Sequence, residues 1–221
     1  MKDKLINDIY NYYPIGSSIK RAEYSGYSEL MNRLEKKNDV YNLNNNNGGT
    51  FEIGEFLSAN QIEYIPDFQN FPSYGVSIFL GESEQNNTKI SGQLILRISM
   101  LTNSFTVFYI EVISSNNYHE TLSFKNLQLS KNNFYLDPGA RILNLVKTAV
   151  NQSNSDLIFA DPILLFTNKI GKGVPHGLDD VPEALNYYSI YDYLYGSDFS
   201  SYSTLISDFF VAPTTLTIVP Y

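Results

Sequence analysis

The sequence predicts an α+β protein in which N-terminal and C-terminal helices flank an antiparallel β-meander. Apolar residues recur at helical spacing near the N-terminus and again after residue 137, whereas residues 60–130 alternate with a period of two. The 221 residues suit one domain and show no repeat at a fixed period. We therefore expect a single α+β domain made of a helical segment (1–41), a sheet (60–130) and a segment of helix, loop and strand (137–221).

Two helices are predicted before the sheet. The first has an apolar stripe that ends at Pro14-Ile15-Gly16, and its members are Leu5, Ile6, Ile9, Tyr12 and Tyr13. Ser28 is placed to cap a second helix, whose apolar positions are Leu30, Met31 and Leu34. Asparagine and glycine fill most of residues 42–49, which predicts a loop after this helix.

The middle of the chain predicts the two main strands of the sheet. Residues 90–100 place apolar side chains on one face and polar side chains such as Arg97 and Ser99 on the other, which is typical of a strand buried on one face only. On this basis, Leu96→Ala should cost roughly 2–5 kcal/mol, and Ser99→Ala should stay within about 0.5 kcal/mol. Residues 105–113 are apolar on both faces, which predicts a central strand.

Two further strands are predicted on either side of this pair along the chain. Val76, Ile78 and Leu80 indicate an earlier strand, and residues 122–129 indicate a later one. The apolar phase of the later strand changes between Phe124 and Leu127, which predicts a β-bulge there. Short polar turns join the four consecutive strands, so we expect them to pair as a meander.

The C-terminal segment predicts a mixture of short elements. Asp137-Pro138 marks the start of a helix with apolar positions at Ile142, Leu145, Val146 and Ala149. Leu157–Phe166 is apolar but interrupted by Asp161-Pro162, so we expect an edge strand. The remaining predictions are a short helix over 189–194 that Gly196 terminates, a helix over 205–210 and a strand over 214–219.

The composition disfavours several classes of function. A net charge of −8 and a pI near 4.7 argue against nucleic acid or an anionic membrane surface as the partner, because both bind clusters of Lys and Arg. Without cysteine, the chain can form neither a disulfide nor a thiolate metal site. The first eight residues lack the apolar run of a signal peptide, and no window approaches about 18 uninterrupted apolar residues, so we expect neither a signal peptide nor a membrane-spanning helix. We expect a cytoplasmic protein that needs no cofactor.

The candidate catalytic residues have structural interpretations as well. His119 and His176 both fall in predicted loops, no Gly-x-Ser-x-Gly motif accompanies them, and two unclustered histidines are too few for a zinc site. Gly171-Lys172-Gly173 matches neither the Walker nor the dinucleotide pattern.

Paired carboxylates remain as the possible basis of a hydrolase. Asp179, Asp180 and Glu183 could act as the acid and the base of glycoside hydrolysis. The same residues match a helix start, in which Asp180 caps the helix and Glu183 lies three positions on. Capping, contact with a partner and catalysis are therefore alternative roles for this group.

The strongest functional pattern is the asymmetry after Lys172. No Lys or Arg follows it, whereas six carboxylates and seven tyrosines do. Tyrosine is enriched at interfaces, and surrounding acids would steer a basic partner. We predict partner binding by Asp179, Asp180, Glu183, Tyr191, Asp192, Tyr195 and Asp198. The alternative is a tyrosine-rich edge of the core with its acids in solvent.

Two short stretches resemble immunity proteins of bacterial polymorphic toxin systems, most closely those of Bacteroidetes. The first is Ile9-Tyr10-Asn11-Tyr12-Tyr13-Pro14-Ile15-Gly16 followed by Tyr24-Ser25-Gly26-Tyr27-Ser28-Glu29-Leu30, and the second is Ser189-Ile190-Tyr191-Asp192-Tyr193-Leu194-Tyr195-Gly196. The stretches that carry the resemblance make up about a tenth of the chain, and the resemblance implies a cytoplasmic, non-enzymatic inhibitor of a toxin. A structural or adaptor protein of phage or secretion-system origin that forms homo-oligomers, and a carboxylate-dependent hydrolase, are the alternatives.

Overall fold

The computed structural model describes residues 1–16, 23–43, 49–67, 72–85, 88–117, 120–130, 139–171, 173–176, 187–199 and 203–207. Its helices are α1 (Lys2–Tyr12), α2 (Ser25–Leu43), α3 (Gly49–Ala59), α4 (Gly139–Ser153), α5 (Pro162–Thr167) and α6 (Ile190–Leu194). Its strands are β1 (Tyr64–Asp67), β2 (Ser73–Gln85), β3 (Thr88–Ser99), β4 (Ser104–Asn117), β5 (Glu120–Ser130), β6 (Ile158–Phe159) and β7 (Ser203–Ser207). Helices before and after the main strands confirm the predicted α+β class.

The strands form one sheet in the order β1-β2-β3-β4-β5-β7, and β6 pairs with the beginning of β4. Every neighbouring pair from β1 to β5 is antiparallel, which confirms the predicted meander. The two late strands are parallel to their partners, β6 to β4 and β7 to β5. Both reach the sheet after the long crossover through α4, as parallel pairing requires.

Apolar side chains pack on both faces of the sheet. Successive residues of a strand point to opposite faces, so Leu94, Leu96 and Ile98 lie on one side of β3 and Ile95 on the other. The first side packs against α3 and α4. The second side packs against α1, α2, α5 and α6. The sheet is therefore a middle layer between two groups of helices, and it buries side chains in both directions.

This arrangement corrects two predictions about the strands. The part of β3 from Leu94 to Ser99 is buried on both faces, so the expectation of a half-buried strand is wrong there. The predicted bulge in β5 is also wrong, because Phe124 and Leu127 pair with β4 in unbroken register. The register shift lies instead in β2, between Phe79 and Gly81.

The helices follow the predictions in part. α1 is confirmed, and Leu5, Ile9 and Tyr12 form its buried side. α2 begins at Ser25, so Ser28 lies inside the helix and its hydroxyl donates to the Ser25 carbonyl at 3.0 Å instead of capping a helix start. α3 was not predicted. Its signal is the helical spacing of two buried residues, Ile53 and Leu57, directly after the Asn- and Gly-rich stretch.

The C-terminal elements need more correction. α4 is confirmed, although Asp137-Pro138 lies outside the described residues. Leu157–Phe166 is a strand only at Ile158–Phe159, because the Asp161 side chain accepts a hydrogen bond from the Ile163 amide and begins α5. α6 ends at Leu194 as predicted, and Gly196 follows the C-cap residue Tyr195 with a φ of 124°, which suits glycine.

The helix predicted over residues 205–210 is wrong in its described part, because residues 203–207 form β7. β-Branched Thr204 and Ile206 favour a strand there, and the edge of β5 supplies the pairing partner. The strand predicted over residues 214–219 falls outside the described part of the chain.

Candidate functional site

The described part of the predicted binding segment, residues 187–199, lies against the sheet. It carries α6, which packs with α1 and α5 on one face of the sheet. α6 covers the side of β3 that carries Arg97 and Ser99, which the sequence predicts to face solvent. The residues of this segment are therefore available mainly for packing against the sheet.

Three of the predicted binding residues, Tyr191, Asp192 and Tyr195, are at most 2% exposed. Their expected place on an open surface is therefore wrong. Asp198 is the fourth described member of the set and keeps part of its side chain in solvent. Asp179, Asp180 and Glu183 lie outside the described residues, so their role stays a prediction.

The start of α6 is a capping box. The Ser189 hydroxyl accepts a hydrogen bond from the Asp192 amide at 3.2 Å, and the Asp192 carboxylate accepts from the Ser189 amide at 2.7 Å. Burial raises the pKa of Asp192, while its hydrogen bonds with Ser189 act in the opposite direction. Asp192 thus stabilises the N-terminus of this short helix, which accounts for a carboxylate in a buried position.

The end of α6 is held by hydroxyl groups from distant parts of the chain. The carbonyl of Tyr193 accepts a hydrogen bond from the Tyr13 hydroxyl at 3.0 Å. The next carbonyl, of Leu194, accepts from Ser99 Oγ at 2.8 Å. Ser73 donates to the carbonyl of Tyr195. The last carbonyls of a helix have no partner within the helix, so these hydroxyls satisfy groups that would otherwise be buried without a hydrogen bond.

The rings of α6 and its flanks form an aromatic stack inside the protein. Tyr191 lies between two rings, with centroid distances of 4.1 Å to Phe166 and 5.3 Å to Tyr195. Phe108 of β4 meets Tyr191 edge-on at 5.5 Å. Burial raises the pKa of the Tyr191 and Tyr195 hydroxyls, so both stay protonated at neutral pH. The two hydroxyls are therefore held in their neutral form within the aromatic stack.

A hydroxyl chain continues from the stack to the start of β4. The Tyr195 hydroxyl lies 2.7 Å from Ser104 Oγ, which in turn lies 2.5 Å from Thr102 Oγ1. Thr102 and Ser104 border a small surface depression that Met1, Leu5 and Ile158 also line. From the sequence, Thr102 and Ser104 are predicted to form a turn between two strands and have no predicted functional role. Their signal is the presence of small polar side chains at the ends of otherwise apolar strands.

A buried ion pair joins β3 to the end of the segment. Arg97 Nη2 lies 3.1 Å from Asp198 Oδ2, and the two side chains are 2% and 22% exposed. The guanidinium also lies 5.6 Å from the centre of the Phe199 ring. The sequence places Arg97 on a solvated face, but the structure makes it a buried cation whose charge Asp198 neutralises. Asp198 therefore serves the fold as well as any partner.

The described residues contain no group of three or more His, Cys, Asp or Glu side chains arranged to hold a metal ion. His176 is half-buried and has partners within the fold, whereas His119 lies outside the described residues. Within the described part of the chain, no helix has the length and apolar character needed to cross a membrane.

The fold and this site define an α+β protein in which the tyrosine-rich residues 187–199 are largely buried and pack against one face of the sheet. Comparison with known proteins adds no family: no family model, no curated protein and no solved structure matches the chain.

Proposed function

We propose that this protein is a non-enzymatic, acidic binding protein of the immunity type, which neutralises a cognate toxin in the cytoplasm by covering its active site or substrate groove. The partner would be a basic protein domain. The proposal rests on the sequence resemblance and on one observation in particular, the excess of acidic over basic side chains in the chain.

The net negative charge follows from the composition, and the ion pair between Arg97 and Asp198 leaves it unchanged because it removes one charge of each sign. The chain has 23 acidic and 15 basic side chains. Arg97 is buried and paired with Asp198, so it contributes little to the field outside the protein. The remaining excess of acids attracts a basic partner and accelerates association, with a strength that falls as salt screens it.

The test uses the product of the reading frame directly upstream of this gene, expressed with and without this protein. We expect this protein to restore growth to cells that produce the upstream product, and the two purified proteins to form a stoichiometric complex. The association rate should fall as the salt concentration rises. Growth that is not restored, together with no complex in the purified mixture, would refute the proposal.

The structural or adaptor protein remains the second candidate and predicts a different result. Its defining property is self-association through apolar strands, which gives a mass that rises with protein concentration. Light scattering over a range of concentrations separates the two functions, because an immunity-type protein gains mass only when the toxin is added.

A further inference from the structure

Among the described residues, the helices on the α6 side cover one end of the sheet and leave the other end exposed. Along β3, Arg97 and Ile95 are at most 1% exposed, whereas Gln93, two residues further from α6, is only partly buried. Along β2, Ser73 is fully buried beneath the segment, and Phe79 is 37% exposed. The described helices therefore cover this face up to Ile95 on β3, and the strands extend beyond that point with their side chains partly exposed.

The uncovered end carries two large apolar side chains on one face. Ile65 of β1 is 67% exposed and pairs with Ser77 of β2. Phe79 lies two residues after Ser77, so it points to the same side of the sheet. The face continues onto β3, because Phe79 pairs with Gln93 and Glu82 pairs with Ser91. We call this surface the open face, and it consists of Ile65, Ser77, Phe79, Glu82, Ser91 and Gln93.

Three glutamates lie on or directly next to β1 and β2 at this end of the sheet. Glu82 and Glu84 pair with β3 residues at the same end of the sheet, and Glu63 immediately precedes β1. All three are exposed. Lys89 neutralises one of them, since its Nζ lies 2.6 Å from Glu82 Oε2. This end of the sheet therefore presents apolar contact area with an excess of negative charge, which is complementary to a basic surface with an apolar protrusion.

The edge of the sheet beside the open face is poorly suited to pairing with another strand. β1 is only four residues long and contains Pro66, which has no amide hydrogen to donate. A partner is therefore expected to lie across the face of the sheet instead of extending it.

We propose that the open face is the docking surface for a basic protein partner, with Ile65 and Phe79 as the central apolar contacts and Glu63, Glu82 and Glu84 as the surrounding charges. This inference rests on the proposed function and adds the place at which the partner binds. Central apolar contacts that exclude water carry most of the affinity of an interface, whereas charges at its rim act mainly on association.

The apolar contacts are tested with Ile65→Ser and Phe79→Ser, and the probe is the purified product of the upstream reading frame. The matched control is Ile158→Ser, because Ile158 is also an isoleucine in a short strand and is 48% exposed. We expect each open-face variant to raise the dissociation constant about tenfold or more, and the control to change it by no more than about twofold. Urea unfolding of every variant shows whether the fold is intact.

The charges are tested with Glu84→Gln against Glu35→Gln, an exposed glutamate on α2. We expect Glu84→Gln to slow association and to weaken its dependence on salt, and Glu35→Gln to leave both unchanged. Equal effects of the two variants would mean that only the total charge matters, and the inference would be wrong about the place of binding.

The remaining outcomes are distinct. If the upstream product binds the wild type and all three serine variants equally, the open face is not the docking surface, although the proposed function stands. If it does not bind the wild type, both proposals fail. A wild-type dimer that Ile65→Ser converts to a monomer would assign the face to a second copy of the chain. Strong destabilisation by Ile65→Ser and Phe79→Ser, but not by Ile158→Ser, would show that the chain itself covers the face. Either result overturns the proposal.

Discussion

The hydroxyl of Ser99 on β3 donates a hydrogen bond to the carbonyl of Leu194 at the end of α6, across 2.8 Å and 95 residues of sequence. The same oxygen accepts hydrogen bonds from the amides of Leu101 and Thr102, at 3.1 and 3.2 Å. One small side chain thus satisfies three backbone groups, and it links the turn after β3 to the tyrosine-rich segment.

Ser99→Ala should therefore destabilise the protein by about 1–3 kcal/mol, since buried backbone groups would lose their partner. This replaces the smaller loss expected from the sequence alone. The control is Ser28→Ala on the exposed surface of α2, which should stay within about 0.5 kcal/mol. Urea unfolding of both variants provides the measurement, and equal stabilities would contradict the role assigned to Ser99.

Leu96→Ala should cost roughly 2–5 kcal/mol, because the leucine is fully buried between β3 and the α3–α4 side and its truncation leaves a cavity. The structure confirms the burial on which this expectation depends. Thermal or urea unfolding measures the loss. A loss below about 1 kcal/mol would indicate that this side of the core is loosely packed.

Asp198→Asn should destabilise the protein by about 3 kcal/mol, because it leaves the buried Arg97 guanidinium without its counter-charge. Replacing both partners, as in Arg97→Met with Asp198→Leu, should cost less than Asp198→Asn alone, since no buried charge remains. The control is Glu29→Gln, which removes an exposed pair with Arg33 at 3.8 Å and should change stability by about 0–1 kcal/mol. An additive double variant would argue against the ion pair.

Tyr195 should act on folding and not on the dissociation of a partner. Tyr195→Phe removes the hydrogen bond with Ser104, which keeps Thr102 as a partner, so the loss should be about 1 kcal/mol. Tyr195→Ala also removes a fully buried ring and should cost about 3–5 kcal/mol. Circular dichroism during urea unfolding measures both. A folded Tyr195→Ala variant of native stability would restore the ring as a candidate binding residue.

Asp192 should contribute a distinctive pH dependence. Burial raises the pKa of Asp192 in the folded state above its ordinary value of 3.8. At a pH between the unfolded-state pKa and the folded-state pKa, the folded state therefore holds a proton that the unfolded state has released. Its contribution to stability therefore decreases as the pH rises through this window. We expect the unfolding free energy of the wild type minus that of Asp192→Asn to increase as the pH falls from neutral into the window. A difference that decreases on acidification would be inconsistent with a raised pKa.

Local sequence patterns determined much of the framework. The antiparallel strands, α1, α4 and the capped α6 depend on periodicity, turn residues and caps, and these act between residues that are close in sequence. These patterns did not predict α3. Its two buried residues, Ile53 and Leu57, directly follow an Asn- and Gly-rich stretch that is typical of a loop. The patterns also failed at β7, whose short apolar sequence becomes a strand because the edge of β5 is available.

The sequence by itself also determined that the chain is acidic, and that its C-terminal segment after Lys172 combines carboxylates with tyrosines. Only the tertiary structure decided where those groups lie. The sequence predicts a solvent-facing side of the strand at Arg97 and Ser99, and binding rings at Tyr191 and Tyr195. In the structure, Ser73 lies beside Ser99 as its register partner. The two sets bury each other, because the hydroxyls and the guanidinium satisfy the carbonyls and the carboxylate of a segment about a hundred residues away. Burial of a polar group is favourable only when such a partner is in place, and no local pattern records that partner.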